Sequence, residues 1–155
     1  MLQKSINSEG VMGMIYKATK LIKEEMDRQE LKYSVQESDS SSFIVAGFGI
    51  KNGPNARVQF ISQDDDNDVA VRLFGVVNDV SEDKVEAMLR VINECNNKYR
   101  YLKFVLDNEH DINVEYDMPV RSDDCCIGAQ ACEIFIRIMK IVDECYPKFM
   151  KVMWS

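Results

Sequence analysis

The spacing of apolar and polar positions changes several times along the chain, and the changes mark out its elements. From Val11 onward, Ile15, Ala18, Ile22 and Met26 recur every three or four residues, while Lys17, Lys20 and Glu24 fall on the opposite side. That period predicts an amphipathic helix over residues 9–30, with Ser8 as its cap, although Gly10 and Gly13 weaken the first turn. Residues 43–50, 56–63 and 69–77 are then rich in β-branched and aromatic side chains. They are parted by turn formers, Asn52, Gly53, Pro54 and Asn55 in one break and residues 64–68 in the other. Three strands are expected there, with residues 32–36 adding a short one, and the brief connections pair neighbours antiparallel.

Ser81 opens a second helix, and Glu82 and Asp83 in its first turn suit the exposed amides of a helix start. Its apolar face is Val85, Met88, Leu89 and Ile92. Beyond it, Ile112, Val114, Tyr116 and Met118 alternate strictly with Asn113, Glu115 and Asp117, the period of a half-buried strand. Its partner is residues 101–107, through a turn at 108–111. A last helix is expected over about residues 124–146, with Ile127, Ala131, Ile134, Ile138, Ile141, Val142 and Cys145 on one side and Pro147 ending or kinking it. The predicted fold is α+β: an antiparallel sheet of about five strands with three helices, in the order α-β-β-β-α-β-β-α. Residues 1–8 form a lead and 9–155 a single domain.

Composition narrows the function classes. The 155 residues suffice for one well-filled core, and 46% apolar with 29% charged residues is a globular mixture. A formal charge of −7 is the wrong sign for gripping phosphates or anionic lipid, so neither nucleic acid nor membrane is an expected partner. Lys17, Lys20 and Lys23 are offset by Glu24, Glu25 and Asp27 on the same helix. Residues 1–7 have no signal-peptide pattern. The most apolar stretch, residues 134–142, holds Arg137 and Lys140 and falls short of the ~20 residues that cross a bilayer. Five cysteines without framework spacing point to a reducing, cytoplasmic setting in which most are small buried hydrophobes.

Reactive groups are sparse. The single histidine, His110, sits in the predicted turn at 108–111, an exposed structural position; a pairing with Cys126 is left open. Asp64, Asp65, Asp66, Asn67 and Asp68 alternate oxygen ligands as a calcium loop does, but Val69 stands where that loop needs glycine and Gly75 where it needs glutamate. A solvated turn with weak cation binding left open is the better account. Cys125, Cys126 and Cys132 lack zinc-ligand spacing, and Gly47 and Gly49 lie inside a strand without the residues of a phosphate loop. No catalytic residue, metal or cofactor is expected.

Two surfaces stand out instead. Gly47 and Gly49 fall on the strand face opposite Ile44, Ala46, Phe48 and Ile50, and Ile61 and Phe74 lie on that same outer side. A solvated sheet face should be polar there, so either another element covers it or it is a partner groove. The last helix carries apolar residues past its core stripe, at Cys132, Phe135, Met139 and Tyr146, which suits core packing or a dimer surface. The candidate protein-binding or dimer surface is therefore Ile61, Phe74, Cys132, Phe135 and Met139.

The segment Val91, Ile92, Asn93, Glu94, Cys95, Asn96 and Asn97, followed by residues 99–107 and an alternating strand, resembles the YbjN-like family of small bacterial proteins. The matching positions are Asn93, Asn96, Lys103, Phe104, Leu106 and Asp107, and the order of elements agrees over residues 9–150, including Tyr146 and Pro147 late in the last helix. The resemblance implies the fold of the small type III secretion chaperones, which are dimeric cytosolic proteins that bind extended segments of other proteins, and it implies no enzyme activity. Asn96 shares the apolar side of its helix with Leu89 and Ile92, a place for an amide that satisfies helix-end or loop backbone. The expected function is a non-enzymatic protein-binding module, chaperone-like or regulatory, acting as a homodimer with a further protein partner. The alternative is a small-molecule or ion sensor that uses the sheet face or the acidic turn.

Overall fold

The three β-branched runs become the middle of one large sheet. A computed structural model describes residues 3–6, 12–63, 68–121 and 126–155. In chain order its elements are β1 (Gln3–Ile6), β2 (Met12–Ile15), α1 (Lys17–Arg28), β3 (Ser34–Glu37), β4 (Ser41–Gly49), β5 (Asn55–Gln63) and β6 (Asp68–Val77). A 3-10 turn (Glu82–Lys84) leads into α2 (Val85–Lys98), followed by β7 (Lys103–Leu106), β8 (Ile112–Pro119) and α3 (Ile127–Met153). Six strands pair antiparallel in the order β3-β4-β5-β6-β8-β7, and β1 and β2 form a separate two-stranded hairpin.

Alternation along the strands decides which face is buried. Ile44, Phe60, Val71 and Tyr116 make one cross-strand row, and Ala46, Val58, Leu73, Val114 and Phe104 make the next. All of these but Tyr116 are buried, on the face the three helices cover. Fully burying the Val, Leu, Ile and Phe side chains of these rows stabilises by about 1.5–3 kcal/mol each. The β6–β8 register shifts between Leu73 and Val77. Gly75 lies in that irregularity with φ +71, a left-handed conformation that favours glycine, and a Cβ there would force the exposed Asn78 side chain to shift.

Helix α3 is the central helix of the covering layer. It touches α1 on one flank, α2 on the other and β6 beneath, while α1 lies on β4 and β5 and α2 beside β7. At Gly128 the backbones of α1 and α3 approach so closely that a Cβ would stand 2.5 Å from Leu21 O. Below α1 a small polar knot replaces apolar packing: Thr19 Oγ1 is 2.8 Å from Ser42 Oγ and donates to Ser62 Oγ at 3.1 Å, all three buried.

Three expectations need correction. The first helix starts at Lys17 instead of residue 9, because residues 12–15 pair with β1 as a strand; Ile15 continues the helical spacing by accident, and Gly13 is a poor helix former. Ser8 lies outside the described residues. The second helix begins as a 3-10 turn in which Ser81 makes no side-chain cap bond, and Leu89 is exposed. The six strands of the main antiparallel sheet agree with the expected α+β sheet of about five. Pro147 does not end the last helix, which runs on to Met153. Pro147 is exposed and removes one backbone donor, whereas Phe149 beyond it is fully buried and packs edge-on to Phe104 with ring centroids 5.0 Å apart.

Candidate functional site

The outer sheet face carries the apolar residues expected of it. Phe74 is 56% exposed, Phe43 and Ile61 are half-buried, and Phe43 sits directly across from Ile61. A shallow concavity of about 320 Å³ is lined by Gln36, Phe43, Val45, Arg57, Gln59 and Phe74. Gly47 and Gly49 are exposed and present no side chain beside it. Charges of both signs flank the strip: Arg72 is ion-paired to Asp117 at 2.8 Å, Arg57 lies opposite Gly47, and Glu115 opposite Arg72.

The helical half of the expected surface is placed elsewhere. Cys132 and Phe135 are buried, and Met139 is half-buried against the core. The excess apolar circumference of α3 is used up because that helix is walled by α1 and α2 as well as by the sheet. Phe135 meets Phe48 edge-on at 6.1 Å, and the ring of Tyr146 lies over Gly53, where a Cβ would be 2.7 Å from it.

Nothing in the residue pattern anticipates a cleft on the helix side. Tyr101, Tyr116, Met118, Pro119, Gln130, Glu133, Ile134 and Arg137 line a cavity of about 410 Å³ between β8 and α3. Tyr101 is 50% exposed, with its ring perpendicular to that of Tyr116 at 6.1 Å. The Arg137 guanidinium lies 4.9 Å from the Tyr101 ring centroid and donates to Glu133 Oε1 at 2.8 Å. Tyr101 has φ +75, and Leu102 N–H donates to Arg100 O at 3.2 Å, a three-residue turn of the rare positive-φ kind. A bulky aromatic held there costs on the order of 1–3 kcal/mol. Glu133 and Arg137 also wall a larger trough of about 730 Å³ that runs past Ile136 and Lys140 to Tyr99 and Glu144. The Tyr99 hydroxyl donates to the Glu144 carboxylate, which pushes its pKa well above the ordinary tyrosine value. The Glu133 and Arg137 spacing of four was readable in the sequence, but nothing in it placed Tyr101 beside them.

His110 and three of the four described cysteines are bound into the scaffold. His110 Nδ1 is 3.0 Å from Val80 O, its Nε2 is 3.5 Å from Glu82, and Val80 N–H donates to His110 O at 2.9 Å, so the residue ties the β7–β8 turn to the start of α2. Cys95, Cys132 and Cys145 are buried, and Cys126 is exposed. Burial pushes the Cys132 thiol up to about 11; burial and then the neighbouring Cys95 thiol push Cys145 up to about 12. Residues 64–67 of the acidic turn and Cys125 lie outside the described residues, while Asp68 opens β6. Among the described residues no three His, Cys, Asp or Glu side chains are grouped to hold a metal, and no helix is long and apolar enough to cross a membrane.

The residues that carried the resemblance form backbone clasps. Asn96 Nδ2 donates to Phe104 O at 3.0 Å and Asn96 Oδ1 accepts from Phe104 N–H at 2.8 Å, so one amide closes both groups of an edge-strand residue. Lys103 Nζ donates to Asn96 O at 2.8 Å and Tyr99 O at 3.0 Å, capping the end of α2. Asp107 accepts from the N–H of Glu109 and Asp111 at 2.9 and 3.0 Å and from Asn113 Nδ2 at 2.8 Å. The Asp111 N–H, then the Asn113 amide, holds its carboxyl below the usual range. No curated protein matches the chain. The family model YbjN, described as "Putative bacterial sensory transduction regulator", matches residues 19–136, and the chain belongs to that family.

Proposed function

We propose that this YbjN-family chain is a non-enzymatic cytoplasmic regulator that works by binding protein, and that it pairs with a second copy of itself through the outer face of its sheet. The observation that carries the reading is the strip of Phe43, Ile61 and Phe74, with Phe74 56% exposed at its edge. A half-covered antiparallel sheet ordinarily turns polar side chains to water. Two such faces pack about 10 Å apart with their side chains interdigitated. A two-fold contact brings the same patch from both sides, so a self-pairing face needs both signs of charge, and Arg57 and Arg72 with Glu115 and Asp117 supply them. Covering Phe74 in each copy contributes up to about 1.5–3 kcal/mol, counted twice by symmetry.

Light scattering across a dilution series tests the reading. The chain of 17.8 kDa should run at twice that mass, and Phe74→Glu should run at the single mass with an unchanged circular dichroism spectrum and melting curve. A wild-type chain that stays at single mass at every concentration, or a Phe74→Glu variant that remains paired, overturns it.

A further inference from the structure

We propose that the cleft between β8 and α3 is a binding site for a small aromatic carboxylate. Its volume of about 410 Å³ lies within the range of small-molecule pockets, and its open, largely polar lining brings Gln130, Glu133 and Arg137 together beside two tyrosines. Pro119 and the buried Met118 and Ile134 close the apolar side, and the perpendicular pair of Tyr101 and Tyr116 adds aromatic surface for a flat guest.

The strain at Tyr101 is the second observation. A half-exposed aromatic gains little by burial, yet the backbone is held at φ +75 to carry its ring beside the cleft. Conformations of this kind persist where the surroundings over-determine them, and they gather at ligand clamps.

Arg137 sets the charge of the guest. Its Nε and Nη2 both reach the one oxygen Glu133 Oε1, at 3.3 and 2.8 Å. A guanidinium has five donors in a fork that fits a carboxylate with two parallel bonds. Glu133 therefore engages only part of that fork, as an internal acid, and a carboxylate on the guest completes or replaces it. The pair is 43% and 64% exposed, so exchange needs no opening of the core.

The test is titration with phenylacetate and indole-3-acetate, read by NMR shifts of Tyr101, Tyr116 and Arg137, with benzyl alcohol and benzylamine as controls. The carboxylates should shift cleft resonances with saturation in the millimolar range or below, and the controls should not. Arg137→Gln should weaken binding at least about tenfold. Glu133→Gln, which removes the internal competitor, should tighten it, a result that a merely structural ion pair would not produce. Saturation by benzylamine instead, shifts outside the cleft, full affinity in Arg137→Gln, or no shift with either acid overturns the proposal. The same titration on Phe74→Glu separates this outcome from the fate of the self-pairing, since the cleft and the sheet face lie on opposite sides.

Discussion

Replacing Asn96 by alanine isolates the most heavily used side chain of the family segment. The substitution removes two hydrogen bonds, at 3.0 and 2.8 Å, and leaves both backbone groups of half-buried edge strand β7 at Phe104 without that partner. Each bond is worth about 1 kcal/mol net, and an orphaned, partly shielded group adds up to about 1 more, so the expected loss is about 2–3 kcal/mol. For a chain of this size that lowers the Tm by roughly 5–10 °C. Urea unfolding gives the free energy, and hydrogen exchange at the Phe104 amide gives the local effect, which should be a marked loss of protection. Asn96→Asp keeps an acceptor for the Phe104 N–H but sets a carboxylate against Phe104 O. It should be as damaging at neutral pH and partly recover in acid, where the carboxyl gains a proton to donate. A loss below about 0.5 kcal/mol, with the Phe104 amide still protected, would refute the assignment of the clasp.

Four further outcomes follow from the packing. Gly128→Ala forces a Cβ to within 2.5 Å of Leu21 O and should destabilise by about 1–3 kcal/mol in urea melts despite the better helix former. Thr19→Val strips the shared partner from Ser42 and Ser62 and should cost about 1–3 kcal/mol by the same measurement. The folded state holds the Cys132 and Cys145 thiols protonated far above the ordinary 9.0, so the unfolded chain ionises first. Stability present below about pH 9 should therefore decline as the pH climbs toward 11–12, visible in guanidinium melts at pH 8 and pH 10. Cys126 should react with thiol reagents in the native protein, while those two wait for unfolding.

The strands were legible because a sheet buried on one face leaves its period of two in the residues. Ile44, Val58, Leu73 and Val114 all fall where alternation puts them, and the outward places of Ile61 and Phe74 follow from the same rule. Helix limits were less legible. Ile15 lies in a strand yet keeps helical spacing with Ala18 and Ile22, and one absent donor at Pro147 is outweighed by the burial of Phe149. The apolar count of α3 leaves core packing and a dimer surface both open, since a helical pattern tells how much of the circumference is apolar but not how many neighbours share it; the burial of Cys132 and Phe135 favours core packing there. The cleft was invisible for another reason. It joins a turn at Tyr101 to a helix at Arg137, thirty-six positions apart, and a positive φ at tyrosine has no signature in the residue itself.

Strand β7 ends one side of the sheet, and the rim it would offer to a foreign strand is already occupied at Phe104 by Asn96. A chain adding itself there must first evict that amide. Fibre growth by edge-to-edge stacking needs both rims open, so one asparagine on a neighbouring helix guards this protein against running into polymers while its broad face stays free for company.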